Sequence, residues 1–323
     1  MRAPLCALWL CVALAFALPC FGQQSPGSTP VSPDGSAVKE QTLLQQAPRI
    51  EGRIDIPDRR AAVLIQPAGR KWDYFHQVQL HWVGGIVLIG MLALLTLAYL
   101  ILGRIRISAG RSGHKIARFT PFERFSHWLT AVSFVLLGLS GLNITFGREL
   151  LLPVLGRNAF SAWAQWAKYV HNFVSFAFLL GLILIVGLWL KDNIPRRVDV
   201  DWLKQGGGFV KSKHAPAGRF NAGEKAVFWL ALFGGLAVIV SGFYLLFPFD
   251  LTNIAGMQTA QVIHALVAVL FVALILAHIY IGTLGMEGAF EAMGTGEVDV
   301  NWAKEHHDLW FAEQLERGRH SGA

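Results

Sequence analysis

Cysteine is nearly absent from this 323-residue sequence: there are three, Cys6, Cys11 and Cys20, all at the very N-terminus. That stretch has one basic residue, Arg2, an apolar run from Leu5 to Leu18, and small residues near Gly22. It reads as a secretory signal peptide over 1–22. Lipid modification at Cys20 fits poorly, because Pro19 precedes it. A mature chain without cysteine excludes disulfides, thiol catalysis, covalently attached c-type haem and Fe–S clusters held by this chain.

Charge is also scarce. Charged residues are 15% and hydrophobic ones 54%, against about 25% charged in an ordinary soluble domain. A soluble globular chain and a disordered one are both excluded. The net charge of +7 reflects basic loops of a membrane protein and does not point to nucleic acid. The sequence contains no nucleotide-binding loop, hydrolytic triad or molybdenum-site signature.

What is present is five apolar blocks near 82–102, 126–146, 170–190, 226–248 and 261–284, each long enough to cross about 30 Å of hydrocarbon as a helix. None has Lys, Arg, Asp or Glu in its interior. Residues 23–75 form a translocated extension, rich in Pro, Gln, Ser and Gly at first. Two routes give the same topology. A cleaved signal puts the mature N-terminus outside, so five crossings leave the C-terminus inside. Independently, segments 103–125 and 191–225 hold six and eight basic residues, while 147–169 holds three and 249–260 none; basic loops stay in the cytoplasm.

Eleven histidines follow, and four fall inside predicted helices: His127, His171, His264 and His278. Ionisable groups at bilayer depth are costly and mark function more often than chance allows. His264 and His278 are fourteen residues apart, about 21 Å along the axis and within about 40° of one face. The topology puts His127 at the depth of His278 and His171 at the depth of His264. Two stacked bis-histidine sites in a helical bundle suit two b-type haems, whose iron takes two axial imidazoles. A bare metal ion would want carboxylates or more histidines at one depth. Arg124, one turn before His127, is placed to pair with a haem propionate, or to act as a positive-inside anchor. His114, His214, His306, His307 and His320 are expected in solvated loops or tail. Trp72, Trp82, Trp163, Trp166 and Trp189 are expected in an interfacial aromatic belt.

The runs RFTPFERFSHWL, YVHNF, DNIPRRVDVDWL, RFNAGEK, IHALVAVLFVALILAHIY and WAKEHHDLW together resemble the gamma subunit of membrane-bound formate dehydrogenase, a cytochrome b, over roughly 115–315. The signal peptide and first helix lie outside that core. The resemblance implies an all-α integral membrane fold: a four-helix diheme bundle (111–323, with a cytoplasmic tail) plus one extra transmembrane helix and basic loop (76–110). It implies His127 and His278 on the cytoplasmic haem iron, and His171 and His264 on the periplasmic one. A quinone pocket is implied at Asn221, Gly223 and His278; the family often has Gln where this chain has Glu224. Menaquinone or ubiquinone would be the substrate. The implied partners are an Fe–S beta subunit, a molybdopterin- or tungstopterin-containing alpha subunit, and membrane lipid. The implied place is the bacterial inner membrane. Formate would be oxidised elsewhere in the complex, with no formate site on this chain. Other readings are the cytochrome b of a hydrogenase or sulfur-compound reductase, and a haem-free anchor or transporter using the histidines as proton relays.

Overall fold

The computed structural model describes residues 50–53, 63–66, 69–207, 215–248 and 250–321. The expected signal peptide, most of the extension before residue 69, and His214 lie outside the described residues. Strands β1 (Ile50–Arg53) and β2 (Val63–Gln66) pair antiparallel, with Ile50 opposite Gln66. Helix α1 (Gly69–Tyr74) passes through a π-helical turn, Phe75–Gln79, into α2 (Leu80–Leu102).

Five helices are long and apolar enough to span a membrane: Lys71–Leu102, Pro121–Leu150, Leu152–Trp189, Ala222–Leu246 and Ile254–Gly285. Each overlaps one of the expected apolar blocks and begins before it; at three of them polar residues ahead of the apolar run cap the helix start. Thr120 accepts the N–H of Glu123 while the Glu123 carboxylate takes the Thr120 N–H, and Pro121 follows the cap of α3 (Pro121–Leu150). This reciprocal box satisfies two first-turn donors that have no intrahelical partner. Asn221 and Glu224 form the same box on α6 (Ala222–Leu246), and Asn253 caps α7 (Ile254–Tyr280) by accepting from Gly256 N.

The segment 147–169, expected as a loop, is mostly helical. Only Leu151 separates α3 from α4 (Leu152–Trp189), and Gly156, at φ 74°, breaks the early turns of α4. That backbone region admits glycine without strain. The continuous part after Gly156, residues 157–189, is about 50 Å long, more than about 30 Å of hydrocarbon requires. Val154, Trp163, Trp166 and Phe173 are exposed along α4.

The bundle is two antiparallel pairs, α3 with α4 and α6 with α7. α2 lies outside the bundle along α7, with Leu88, Phe146, Val269 and Ala273 forming the seam. Glycine sets the close approaches. A Cβ at Gly181 of α4 would stand 3.0 Å from the Thr130 backbone of α3. A Cβ at Gly235 of α6 would stand 2.8 Å from Leu182.

At the end where α3 and α6 begin, the expected basic loop and tail fold into a cap. Strand β3 (Lys115–Ala117) pairs antiparallel with β4 (Glu297–Asp299). Helices α5 (Arg197–Lys204), α8 (Ala289–Gly294), α9 (Val300–His306) and α10 (Asp308–Ser321) complete it. Its core joins Phe119, Trp189, Phe220, Val298, Trp302 and Trp310. Two expectations are corrected here. Trp189 is buried and donates its indole N–H to Glu123 Oε1 at 2.8 Å, outside any lipid belt. His307 is fully buried instead of solvated, with Nδ1 donating to the Gly218 carbonyl at 2.9 Å. Burial, and after it the charge of Arg118, holds His307 well below its ordinary pKa, so the ring is neutral. His306 is partly buried as well, whereas His114 is exposed as expected.

Gly181→Ala should lower the thermal midpoint in detergent, because its methyl group meets Thr130 backbone that cannot rotate away. Gly187→Ala, with nothing within 4 Å of the added Cβ, should be neutral or stabilising. Equal midpoints for the two variants would refute glycine-set packing between α3 and α4.

Candidate metal centres

The four intramembrane histidines meet in the two pairs that helix depth predicts. The ring centres of His127 and His278 are 6.3 Å apart, and those of His171 and His264 are 6.1 Å apart. This spacing discriminates between two arrangements. A direct N–H···N bond of about 2.9 Å would bring the centres to about 5.1 Å. One metal held by a nitrogen of each ring at about 2.1 Å would place them about 6.4 Å apart. The observed gaps exclude the first and leave space for the second, within the ordinary range of packed ring pairs. Among the described residues no group of three or more His, Cys, Asp or Glu could hold a metal ion. Each pair therefore suits a metal that brings its remaining ligands with it, as a porphyrin iron does.

Glycine lets the far-end rings lie close against the backbone of the facing helices. Gly141 faces His171, where a Cβ would stand 3.4 Å from Cε1; Gly242 faces His264, where it would stand 3.3 Å away. Both glycines follow a serine that touches the same ring. Ser140 Oγ lies 2.9 Å from His171 Nδ1, and Ser241 Oγ lies 3.1 Å from His264 Nδ1. These serines were not singled out by sequence reasoning. The repeated Ser-Gly step, once in α3 and once in α6, is the signal that could have found them.

Between the pairs lies an aromatic layer. Phe134, Phe178 and Phe271 each sit seven residues from one of the histidines, with ring centres 4.7 Å apart for Phe134 and Phe271 and 5.9 Å for Phe134 and Phe178. Phe178 and Phe271 are buried. The layer separates the two sites with dry hydrocarbon.

Around the cap end, Arg124 donates Nε to the Met293 carbonyl at 3.2 Å and Nη2 to the Gly294 carbonyl. It holds the end of α8, and its Nη1 is hydrogen-bonded to no described residue. Asn221 spends Oδ1 on the α6 cap, accepting from Glu224 N at 2.9 Å. Its Nδ2 donors are uncommitted among the described residues. The Gly223 N–H is a first-turn donor that no carbonyl within the helix reaches. A Cβ there would stand 3.3 Å from the Trp202 ring, so a flat ring already lies close to this backbone. The contacts Gly242–His264 and Gly234–Phe271 fix the antiparallel register of α6 and α7. That register sets His278 opposite 226–228, about one and a half to two turns inside the Asn221 cap. Glu224 accepts from Arg118 Nη2 at 3.1 Å and stands 3.7 Å from His307 Nε2. His76 and His81 lie at the far end. His76 Nε2 is 2.9 Å from Gln261 Nε2, and His81 Nε2 donates to the Thr145 carbonyl at 2.8 Å.

Residues 118–296 match a protein family described as prokaryotic cytochrome b561. Among curated proteins, the chain is 32% identical over 202 residues to the formate dehydrogenase cytochrome b556(fdo) subunit of Escherichia coli strain K12, covering 61% of this chain and 92% of that protein. It is 28% identical over 205 residues to the nitrate-inducible formate dehydrogenase cytochrome b556(Fdn) subunit of the same strain, covering 61% and 91%. The formate dehydrogenase cytochrome b556 subunit of Haemophilus influenzae is 27% identical over 207 residues, covering 62% and 84%.

Titrating hemin into the haem-free protein should saturate at two equivalents by absorbance. Gly141→Leu, which forces a side chain against His171, should saturate at one. Gly85→Leu, where nothing lies within 4 Å, should keep two. Two equivalents in Gly141→Leu would disprove the ring gap at His171 as a binding site.

Proposed function

The chain belongs to the prokaryotic cytochrome b561 family, as a membrane cytochrome b subunit of the formate dehydrogenase type, and from this premise we propose that it conducts electrons from a periplasmic Fe–S subunit to quinone at the cap end. The observation that carries the reading is the pair of facing imidazoles at each of two depths. His171 and His264 would hold the periplasmic haem b, His127 and His278 the cytoplasmic one. Each haem, when bound, would supply a one-electron couple, and the spacing of His264 and His278 sets the two couples about 21 Å apart along α7.

The sidedness rests on charge: the two most basic loops both lie at the cap end, which therefore faces the cytoplasm. The partners in this reading are a beta subunit carrying Fe–S clusters and an alpha subunit carrying molybdopterin or tungstopterin. Formate is oxidised on that alpha subunit, and this chain contributes conduction and quinone reduction. Oxidation outside and proton uptake inside would charge the membrane.

The quinone, menaquinone or ubiquinone, would sit beside Asn221, Gly223 and His278. A carbonyl gaining electrons needs hydrogen-bond donors and a proton path at the hydrocarbon edge. Asn221 Nδ2, the Gly223 N–H and an imidazole nitrogen of His278 supply the donors. The polar cap supplies the aqueous side. Asn221 keeps its capping role through Oδ1, so one side chain serves both ends.

A pyridine haemochrome assay should return two haems b per chain; none at all would refute the reading. His171→Ala and His264→Ala should each remove the same haem, and His127→Ala and His278→Ala the other. Loss of one common haem in His171→Ala and His278→Ala would overturn the pairing.

Asn221→Ala should keep both haems and their reduction by formate in the assembled complex, while slowing their reoxidation by added quinone several-fold. The lost cap would also cost about 1 kcal/mol of stability. Normal reoxidation in an intact, haem-replete variant would move the quinone site elsewhere.

A further inference from the structure

The two histidine pairs present the same rings but not the same support. Ser140 donates its only hydroxyl proton to the carbonyls behind it, Leu136 at 2.7 Å and Leu137 at 3.1 Å. Toward His171 Nδ1 its oxygen can therefore only accept. Ser241 repeats this, donating to the Ala237 carbonyl at 2.6 Å. The Val238 carbonyl stands 3.0 Å from His264 Nδ1, and a carbonyl has no proton to give. These partners assign the hydrogen to Nδ1 in both rings and leave Nε2 as the nitrogen with a free lone pair.

The cap-end pair differs. His127 Nδ1 is buried with no hydrogen-bond partner among the described residues. Neither ring nitrogen of His278 is hydrogen-bonded to any described residue.

We propose that Ser140 and Ser241 hold the far-end haem at a lower potential than the cap-end haem, so that electrons run downhill toward His127 and His278. An acceptor on Nδ1–H draws the proton outward and gives the ring imidazolate character, which makes Nε2 a stronger donor to iron. A stronger donor favours the more positively charged ferric state, and the potential falls. Rings without that acceptor are weaker donors, and their haem is more easily reduced. Both serines act through a ligand and are positioning residues. The proposal rests on the two-haem reading above. It adds a cause, two hydroxyl groups, for the direction which that reading gives the path.

Redox potentiometry on the purified, haem-replete protein tests it, with absorbance in the visible as the readout. The wild type should show two one-electron components. Ser140→Ala and Ser241→Ala should each shift only the lower component upward, by three- to tenfold in its reduction equilibrium, or about 30–60 mV for one electron. The double variant should shift it further. Ser140→Thr, which keeps the hydroxyl, should leave it in place. Ser140→Cys, whose sulfur is a weaker acceptor, should fall between, and serves if the alanine variant loses its haem. His171→Ala should delete the component that the serine variants move.

Unchanged potentials in haem-replete Ser140→Ala and Ser241→Ala would sink the proposal while leaving two haems standing. So would a shift confined to the component that survives in His171→Ala. A wild type with a single component would overturn both the proposal and the two-haem reading beneath it.

Discussion

A histidine ring placed at bilayer depth has two nitrogens to satisfy and no water to satisfy them with. An unpaired polar group in hydrocarbon costs several kcal/mol, so four such rings need four separate solutions. At the far end, serine oxygens and a carbonyl settle Nδ1 of His171 and His264, and Nε2 is turned inward. In the proposed reading, what remains for Nε2 is a metal between two rings whose centres are about six ångströms apart. Much of the bundle serves that gap. Glycines beside the far-end rings keep side chains out of it, the register of α6 and α7 sets its depth, and a phenylalanine layer separates one gap from the other. The histidines are costly alone, and the proposed ligation would give each ring a partner at Nε2.

The cap solves a second burial problem. Arg118 lies with its guanidinium 5.1–5.4 Å from the ring centres of Phe119, Trp302 and Trp310. Its ion-pair partner is Glu224, and its other acceptor is the Arg219 carbonyl. A buried cation with one ionic partner ties the positions of both, since removing either leaves an uncompensated charge. Glu224 is in turn the carboxylate that closes the Asn221 capping box. Packing of the C-terminal segment around Trp302 and Trp310 is thereby connected, through one arginine and one glutamate, to the first turn of α6. The donors proposed for quinone sit on that turn. The tail motif WAKEHHDLW is thus part of the same structural unit as RFNAGEK, far from it in sequence.

Much of this was legible before any coordinates. Five crossings followed from apolar length, and the histidine pairing followed from helix rise and alternating direction. Both arguments use long periodic elements, whose faces are fixed by geometry. The misses share a different cause. Strands of three residues, Lys115–Ala117 and Glu297–Asp299, are too short to show a period, so loop and tail looked solvated. His307 and Trp189 were misplaced for that reason. Their burial comes from tertiary contacts between distant segments, 66 residues apart for Trp189 and Glu123 and 89 for His307 and Gly218, which local pattern does not encode. Ser140 and Ser241 escaped because a serine in an apolar helix normally bonds back to its own turn. Both do so, and the same oxygen also accepts from a histidine on the next helix.

The N-terminal helix can be placed in the same terms. It lies outside the family match, yet it packs along α7, the one helix that carries a ligand for each proposed haem. Leu88 of α2 meets Val269 and Ala273 on the α7 face between His264 and His278. His76, in the π-turn, contacts Gln261, one turn before His264. A π-turn shifts the residues beyond it relative to an ideal helix, and here it lets the same helix place His76 against Gln261 and His81 against the Thr145 carbonyl of α3. The helix therefore replaces lipid along the back of α7 and contacts α3 and α7 at the far end. Holding both helices from outside restricts sliding of α7 against the bundle, the motion that would most directly change the depth of both ring gaps at once.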